Sequence, residues 1–262
     1  MKLQEIKEAL EEAAAGLPES RERLEELIAE YDADERSGAK AQVARARKKL
    51  EALDAEIART EELKRYEREY ESCGYVCGID EVGRGPLAGP VVAGAVILPK
   101  DCRILYLNDS KQLTEKKREE LRAVILKEAV AVGIGYAAPE RIDEINILQA
   151  TYEAMRDAVG KLPVRPDVLL NDAVRIPGLA IRQVPIIKGD AKSVSIAAAS
   201  IVAKVTRDHL MQEYGRLFPE YDFASNKGYG SAAHIAALKK YGPCPIHRRS
   251  FIGNFVEDDR KA

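Results

Sequence analysis

The chain has 262 residues, of which 46% are hydrophobic and 32% are charged, and its formal net charge is −2. This length supports a full hydrophobic core, and the composition is ordinary for a protein in water. No apolar run approaches the roughly 20 residues that span a bilayer, and the N-terminal residues lack a signal-peptide core. The four cysteines, at 73, 77, 102 and 244, are irregularly spaced, which favours reduced thiols over a disulfide framework. We therefore expect a cytoplasmic protein with no membrane partner.

Residues 2 to about 72 are rich in charge and in helix-forming residues, with breaks near positions 16 to 18 and 37 to 38. In the longest helical piece, mostly apolar residues recur at close to a 3.5-residue spacing. They are Val43, Ala46, Leu50, Leu53, Ile57, Thr60, Leu63 and Tyr70. A second stripe, made of Leu24, Leu27, Ile28 and Tyr31, precedes them. The pattern predicts a hairpin-like helical extension over 1–72, and a solvated helical extension is the alternative. A second domain then covers 73–262.

From residue 75 onward, short apolar runs and longer helical patterns predict strands followed by helices. We expect strands at 75–82, 90–98, 129–138, 167–173 and 181–187. We expect helices at 114–128, 140–161 and 193–217, with shorter helical segments after them. Strands that first form a meander and then alternate with helices indicate an α/β layer structure.

The most informative stretch of the chain is GIDEVGRGP, at 78–86. Its acids, Asp80 and Glu81, end an apolar run, and the ends of buried strands are where α/β enzymes usually place their chemistry. Successive side chains on a strand point to opposite faces, so both acids serve one site only if the strand stops or twists there. Gly83 and Gly85 predict that stop and leave the nearby backbone N–H groups open to a phosphate.

Two further apolar runs lead to acids, Asp172 and Asp190. Four carboxylates at or just past strand ends predict convergence at one edge of a sheet. Like charges crowded in this way require a divalent cation. Each acid also has a simpler interpretation: Asp190 can cap a helix and Asp172 can form a turn. Glu81 can pair with Arg84.

Several separate motifs resemble those of bacterial ribonuclease HII, the type 2 ribonuclease H, in order and spacing. They are GIDE and GRG within 78–85, DSK at 109–111, KGDAKS at 188–193, IAAASIVAKVTRD at 196–208 and KGYG at 227–230. The likeness covers about residues 73–255. Two positions depart from the family pattern, Ala173 where Gly is usual and Asn226 where His is usual. Both bear on loop geometry and neither is a carboxylate.

The resemblance implies a ribonuclease H-like five-stranded mixed sheet flanked by helices. It implies that Asp80, Glu81, Asp172 and Asp190 are the catalytic acids and hold two Mg²⁺ or Mn²⁺ ions. Oxygen ligands favour such hard cations over zinc, and two of them can activate water and stabilise the leaving oxygen. The implied reaction is endonucleolytic hydrolysis of RNA paired to DNA and of single ribonucleotides in duplex DNA, as in ribonucleotide excision repair. It leaves 3′-hydroxyl and 5′-phosphate ends.

The same resemblance implies a set of substrate-binding residues. They are Gly83, Arg84, Gly85, Lys111, Lys192, Ser193 and Tyr229. The glycine-flanked loop would read the 2′-hydroxyl, the group that separates ribose from deoxyribose. The ring of Tyr229 would pack on the sugar at the RNA–DNA junction, and a buried core tyrosine is the alternative.

Basic residues lie in segments that flank the acids, although the net charge of the chain is slightly negative. They are Lys111, Lys116, Lys117, Lys188, Lys192, Lys227, Lys239, Lys240, Arg248 and Arg249. Neutralising a few phosphates is a local event, so such residues need only line the groove. For most of them a solvated surface position is the alternative.

Two other functions stay open at this point, and a zinc site is a further alternative for two residues. A related metal nuclease on the same fold, such as ribonuclease HIII or a proofreading exonuclease, is one; residues 1–72 show no sheet-forming platform, which disfavours ribonuclease HIII. A non-catalytic hybrid-binding protein gains nothing from four acids facing phosphates. A zinc site at Cys244 and His247 lacks a second paired motif. We expect a monomer, and we expect a chain that starts near Ser72 to fold and remain active.

Overall fold

The computed structural model describes residues 2–256. Its chain divides into two compact units, Met1–Glu62 and Leu63–Ala262. This division falls earlier than the domain boundary predicted at 72/73, because the residues between Leu63 and that boundary pack within the second unit. Leu63, Tyr66 and Tyr70 contact its apolar clusters.

The first unit is helical and has its own apolar core. It contains α1 (Leu3–Ala15), α2 (Arg21–Tyr31) and α3 (Ser37–Leu63), of which the last residue belongs to the second unit. Its core consists of Ile6, Leu10, Ala13, Leu24, Leu27, Ile28, Tyr31, Ala39, Val43 and Ala46. The predicted pairing of the α2 and α3 stripes is present. The hairpin prediction was incomplete, because α1 also buries an apolar face in this core.

The second unit contains a five-stranded mixed sheet in the order β3-β2-β1-β4-β5. Its strands are β1 (Val76–Val82), β2 (Val91–Ile97), β3 (Ala131–Ala137), β4 (Val168–Asp172) and β5 (Arg182–Ile186). The first three form an antiparallel meander, and β4 and β5 continue the sheet in parallel with β1. The five-stranded mixed sheet predicted above is confirmed.

The second unit also contains helices. They are α4 (Arg65–Tyr70), α5 (Glu115–Glu128), α6 (Pro139–Gly160), α7 (Val194–Leu217), α8 (Phe223–Asn226), α9 (Ala232–Tyr241) and α10 (Arg249–Ile252). The buried side of α6 packs on one face of the sheet and α7 packs on the other. Within residues 2–256, no helix combines the length and apolarity needed to cross a membrane.

The helix α7 lies unusually close to the sheet. A Cβ atom at Gly78 on β1 would overlap the backbone of Ser195, and one at Gly94 on β2 would meet the carbonyl oxygen of Ala199. Glycine on the strands and small residues on the helix therefore permit the contact. As predicted from the small side chains of this helix, the approach draws the segment just before α7, which carries Asp190, against the end of the sheet.

Candidate active site

Asp80 and Asp172 lie side by side towards the carboxyl ends of two adjacent strands. The strands β1 and β4 are parallel neighbours in which Ile79 pairs with Asn171. The next residue on each strand is therefore an acid, and their backbones are one strand spacing apart, about 4.8 Å. Both acids face α7, because they lie two residues after Gly78 and Leu170, which contact that helix.

Glu81 points to the opposite face of the sheet. Its Oε1 lies 3.3 Å from Nη1 of Arg84, so the pairing considered from the sequence is present. The strand continues to Val82, and Gly83, with φ of +89°, then ends it. The predicted stop therefore comes two residues after Glu81. Burial nonetheless raises the pKa of Glu81; Arg84 opposes this effect and the Asp172 carboxylate adds to it.

Asp190 lies in a short 3-10 turn, Gly189–Ala191, between β5 and α7. The backbone N–H of Gly189 donates to Oδ1 of Asp172 over 2.7 Å, which ties this turn to the end of β4. Burial raises the pKa of Asp190, and the carboxylates of Asp109 and Asp172 raise it further. The residue that caps α7 is Ser193, whose hydroxyl accepts from the backbone of Ile196. Asp190 is therefore not the helix cap.

The electrostatics of these acids reflect their proximity. Burial, the Glu81 carboxylate and the Asp172 carboxylate raise the pKa of Asp80 well above its usual range, against a hydrogen bond with Ser200. Lys111 interacts electrostatically with the same acids. Desolvation lowers its pKa, but several carboxylates outweigh that effect and raise it. In order of effect, those carboxylates are Asp109, Asp80, Asp190 and Asp172.

Within the described range 2–256, no three His, Cys, Asp or Glu side chains form a ready-made metal cage. The donors at this edge are all carboxylate oxygens, the ligands that Mg²⁺ and Mn²⁺ prefer. Mutual repulsion contributes to the raised pKa values of Asp80 and Asp190, and a divalent cation would relieve it. Because Mg²⁺ commonly takes one or two carboxylates and completes its shell with water and substrate phosphates, the residues fit such an ion.

The predicted sugar-reading loop and Tyr229 are neighbours. The Tyr229 side chain is 47% exposed, which excludes the buried core tyrosine considered above. A Cβ atom at Gly85 would lie 3.8 Å from Cε1 of its ring. Lys192, two residues after Asp190, is exposed, and so is Arg84, which pairs with Glu81. These residues are open to a ligand, and their roles stay predictions.

Ser193 is engaged within the protein. It is fully buried, and its hydroxyl donates to Oε1 of Glu67 over 2.5 Å. The same oxygen accepts from the backbone N–H of Ser195 over 3.0 Å, and burial raises the pKa of Glu67. Substrate binding by Ser193 therefore stays a prediction for which its buried hydroxyl gives no support. Sequence reasoning missed Glu67, which lies on α4 and shares no motif with α7.

The two residues that depart from the family pattern lie in loops: Ala173 has a strained backbone, and Asn226 makes hydrogen bonds within its loop. Ala173 has φ of +54°, a left-handed conformation that glycine adopts without cost. Asn226 donates through Nδ2 to the Tyr221 carbonyl over 2.7 Å and accepts at Oδ1 from the Gly228 N–H over 2.8 Å. Asn226 therefore stabilises the turn that presents Tyr229.

A buried histidine pair supports the backbone of Tyr229. The Cys244 N–H donates to Nδ1 of His247 over 3.0 Å, so the proton of that ring is on Nε2. Nε2 of His247 lies 2.9 Å from Nε2 of His234, which therefore accepts and carries its own proton on Nδ1. That Nδ1 donates to the Tyr229 carbonyl over 2.8 Å. Cys244 and His247 thus belong to a hydrogen-bond chain, and the described residues hold no zinc cluster there.

Arg248 corrects the expectation that it lies among the groove cations. It is fully buried, and so is Arg207 on α7. Both side chains donate to backbone carbonyls of the loops around the site. A basic residue near the acids in sequence is therefore not always a residue that faces phosphate.

The five-stranded mixed sheet in the order β3-β2-β1-β4-β5, flanked by helices, defines a fold of the ribonuclease H class. The ribonuclease HII family matches residues 77–254, and the ribonuclease HII N-terminal domain matches residues 2–71. The chain therefore belongs to the ribonuclease HII family, whose members are metal-dependent nucleases. The two matched ranges lie on either side of the boundary predicted at 72/73.

Relatives and solved structures agree with this assignment. The chain is 66% identical to ribonuclease HII of Lachnoclostridium phytofermentans over 226 residues, covering 86% of this chain and 89% of the relative. It is 49% identical to that of Clostridioides difficile over 256 residues, covering 97% and 98%. The structure resembles ribonuclease H2 from Pyrococcus horikoshii, with a TM-score of 0.58, 29% identity and coverage of 71% and 96%. It also resembles ribonuclease HII from Archaeoglobus fulgidus, solved in complex with PCNA, with a TM-score of 0.60, 25% identity and coverage of 71% and 98%.

Proposed function

We propose that this ribonuclease H cuts the RNA strand of RNA/DNA hybrids and also cuts duplex DNA at single embedded ribonucleotides, leaving 3′-hydroxyl and 5′-phosphate ends. The observation that carries the proposal is the side-by-side placement of Asp80 and Asp172 on one face of the sheet. Asp190 is tied to the same edge through the Gly189 N–H. A concentration of negative charge at this point suits a metal-assisted cut and disfavours a pure nucleic-acid binder.

In this proposal Asp80, Glu81, Asp172 and Asp190 hold two Mg²⁺ or Mn²⁺ ions. When bound, such ions supply a water-derived nucleophile near neutral pH and stabilise the charge on the leaving oxygen. Asp80 and Asp172 hold the centre of the cluster, because they sit on adjacent strands. Glu81 lies within the electrostatic reach of Asp172, and Arg84 balances part of its charge.

Other residues bind and orient the nucleic acid. Lys111 offers a cation within the field of the acids, suited to a phosphate oxygen next to the cut. The exposed ring of Tyr229 packs on a sugar, and the backbone of the loop at 83–85 reads the 2′-hydroxyl. Exposed Lys192 adds a phosphate contact beside Asp190.

The test is a cleavage assay on a duplex with one embedded ribonucleotide and blocked ends, with Mg²⁺ or Mn²⁺ titrated. We expect the wild-type protein to make one metal-dependent internal cut and to leave an all-DNA duplex intact. Asp80→Asn should fold and lose several orders of magnitude in rate, because it removes a metal ligand. Asp101→Asn, at an exposed acid outside the site, is the matched control and should cut normally.

Each alternative predicts a different outcome. Near-normal turnover of Asp80→Asn at saturating Mg²⁺ would contradict the assignment of the acids. A ladder of products that requires free ends would indicate an exonuclease. Binding of the hybrid with no cut at any metal concentration would indicate a non-catalytic binder.

A further inference from the structure

Two fully buried arginines stand behind the loops of the candidate active site. Arg207 lies on α7 and Arg248 lies immediately before α10. Burial lowers the pKa of Arg207 to about 10, and burial together with the charge of Arg207 lowers that of Arg248 to about 9. Isolated charges are costly in a protein interior. The contacts of both side chains must therefore compensate for the burial of their charges.

Arg248 donates all its hydrogen bonds to backbone carbonyls of a single loop. Its Nη1 donates to the Arg84 carbonyl over 2.9 Å, and its Nη2 donates to the Gly83 carbonyl over 2.5 Å. Its Nε and Nη2 also donate to the Gly89 carbonyl over 2.9 and 2.7 Å. The planar guanidinium fork thus clamps both ends of the loop at 83–89, a geometry that an ammonium group cannot reproduce.

These contacts fix the direction of two N–H groups. In a planar trans peptide the C=O and the following N–H point in opposite directions. The Gly83 carbonyl points inward to Arg248, so the N–H of Arg84 points outward, and the same holds for the Arg84 carbonyl and the Gly85 N–H. Among the hydrogen bonds of the described chain, neither N–H has an acceptor. Beside Gly85 stands the exposed ring of Tyr229.

We propose that Arg248 is a positioning residue for ribose recognition: by holding the Gly83 and Arg84 carbonyls, it aims the N–H groups of Arg84 and Gly85 at the 2′-hydroxyl. This inference rests on the proposed function. A hydroxyl oxygen has two acceptor sites and takes both donors, whereas a deoxyribose leaves them unpaired. Arg248 contacts no substrate itself, and its effect passes through the peptide planes.

Arg207 is a buried control for this role. It donates to the carbonyls of Pro90, Lys227 and Ala88, over 2.9, 2.8 and 3.1 Å. None of these carbonyls belongs to residues 83–85. The Cδ and Nε atoms of Arg207 pack against Gly83, and Arg207→Lys keeps Cδ at that place. This variant therefore removes a similar buried guanidinium while Arg248 still holds the Gly83 and Arg84 carbonyls.

The experiment measures the affinity of the full-length protein, in metal-free buffer, for two duplexes that differ only in one ribose or deoxyribose. We expect the wild-type protein and Arg216→Lys, at an exposed arginine near the end of α7, to prefer the ribose duplex about tenfold. Arg248→Lys should bring the ratio of the two affinities close to one, while Arg207→Lys should keep most of it. Partial unfolding lowers both affinities equally, so it does not move the ratio.

The other outcomes distinguish a wrong substrate from a wrong role for Arg248. No preference in the wild-type protein would count against the proposed substrate rather than against Arg248. A preserved ratio in Arg248→Lys, or an equal fall in Arg207→Lys, would overturn the positioning role. If Arg248→Lys fails to fold, amide exchange of the wild-type protein decides: the N–H groups of Arg84 and Gly85 should gain protection with the ribose duplex alone, and no difference between the duplexes would overturn the inference.

Discussion

Replacing His247 by glutamine should make the unfolding free energy of the protein fall less between pH 7 and pH 5. Burial and the neighbouring His234 lower the pKa of His247 to about 4 in the folded protein, from an ordinary value of 6.5. The unfolded imidazole therefore takes up a proton at a pH where the folded one does not. The contribution of His247 is fully present above pH 6.5 and is lost progressively as the pH falls towards 4.

The size of the effect follows from the two pKa values. One pH unit of difference corresponds to 1.36 kcal/mol, so the whole range from 6.5 to about 4 corresponds to about 3 kcal/mol. Between pH 7 and pH 5 the loss of unfolding free energy is about 2 kcal/mol. Acids with raised pKa values, such as Asp80, act in the opposite direction, and they do so in the wild-type protein and in the variant alike. The difference between the two proteins therefore isolates the imidazole.

The assay is urea unfolding of the wild-type protein, His247→Gln and the control His209→Gln at pH 7 and pH 5. His209 is the exposed histidine on α7 that pairs with Glu119. We expect the wild-type protein and the control to lose about 2 kcal/mol more than His247→Gln over this interval. Equal losses in all three proteins would refute the buried, neutral state of the pair.

Tyr229→Ala should slow cleavage at a single embedded ribonucleotide roughly tenfold to a hundredfold, the range of stacking energies on nucleic acid, while Tyr229→Phe keeps the ring and stays close to wild type. Equal, complete losses in both would assign the role to the hydroxyl. Ala173→Gly should raise the unfolding free energy by about 0.5–1 kcal/mol in thermal melts, because relief of about 1–2 kcal/mol of left-handed strain exceeds the extra entropy of glycine; a lower melting temperature would contradict this. A chain that starts at Leu63 should be roughly 3 kcal/mol more stable in urea than one that starts at Ser72, which lacks the two Glu67 hydrogen bonds. Matching midpoints would show that those bonds contribute nothing to the stability of the second unit.

Much of the sheet was predictable because its signals are local. Short apolar runs gave the strands, and the small residues at 197–199 indicated the close approach of α7. The positions of the acids after apolar runs predicted their convergence at one edge of the sheet. The placement of Asp80 beside Asp172 needed the structure, which shows that β1 and β4 are parallel neighbours. The face of Glu81 was uncertain from the sequence, because it depended on where β1 stops.

The remaining features depend on contacts between distant parts of the chain. Arg248 looks like any surface cation in sequence, and only the carbonyls of residues 83–89, more than 150 positions away, explain its burial. Glu67 lies in a charge-rich helix where nothing marks it as the partner of Ser193. The contribution of α1 to the N-terminal core was not predicted, because the longer apolar stripe on α3 dominated the pattern.

The order of the strands has a consequence for synthesis at the ribosome. Domains form from the N-terminus as the chain emerges, and β1, β2 and β3 can pair with one another before β4 exists. Such a nascent intermediate carries Asp80 and Glu81 but lacks the acids at 172 and 190. In the proposed assignment, the emerging polypeptide therefore lacks two of its four metal-binding acids until residue 190 has been translated.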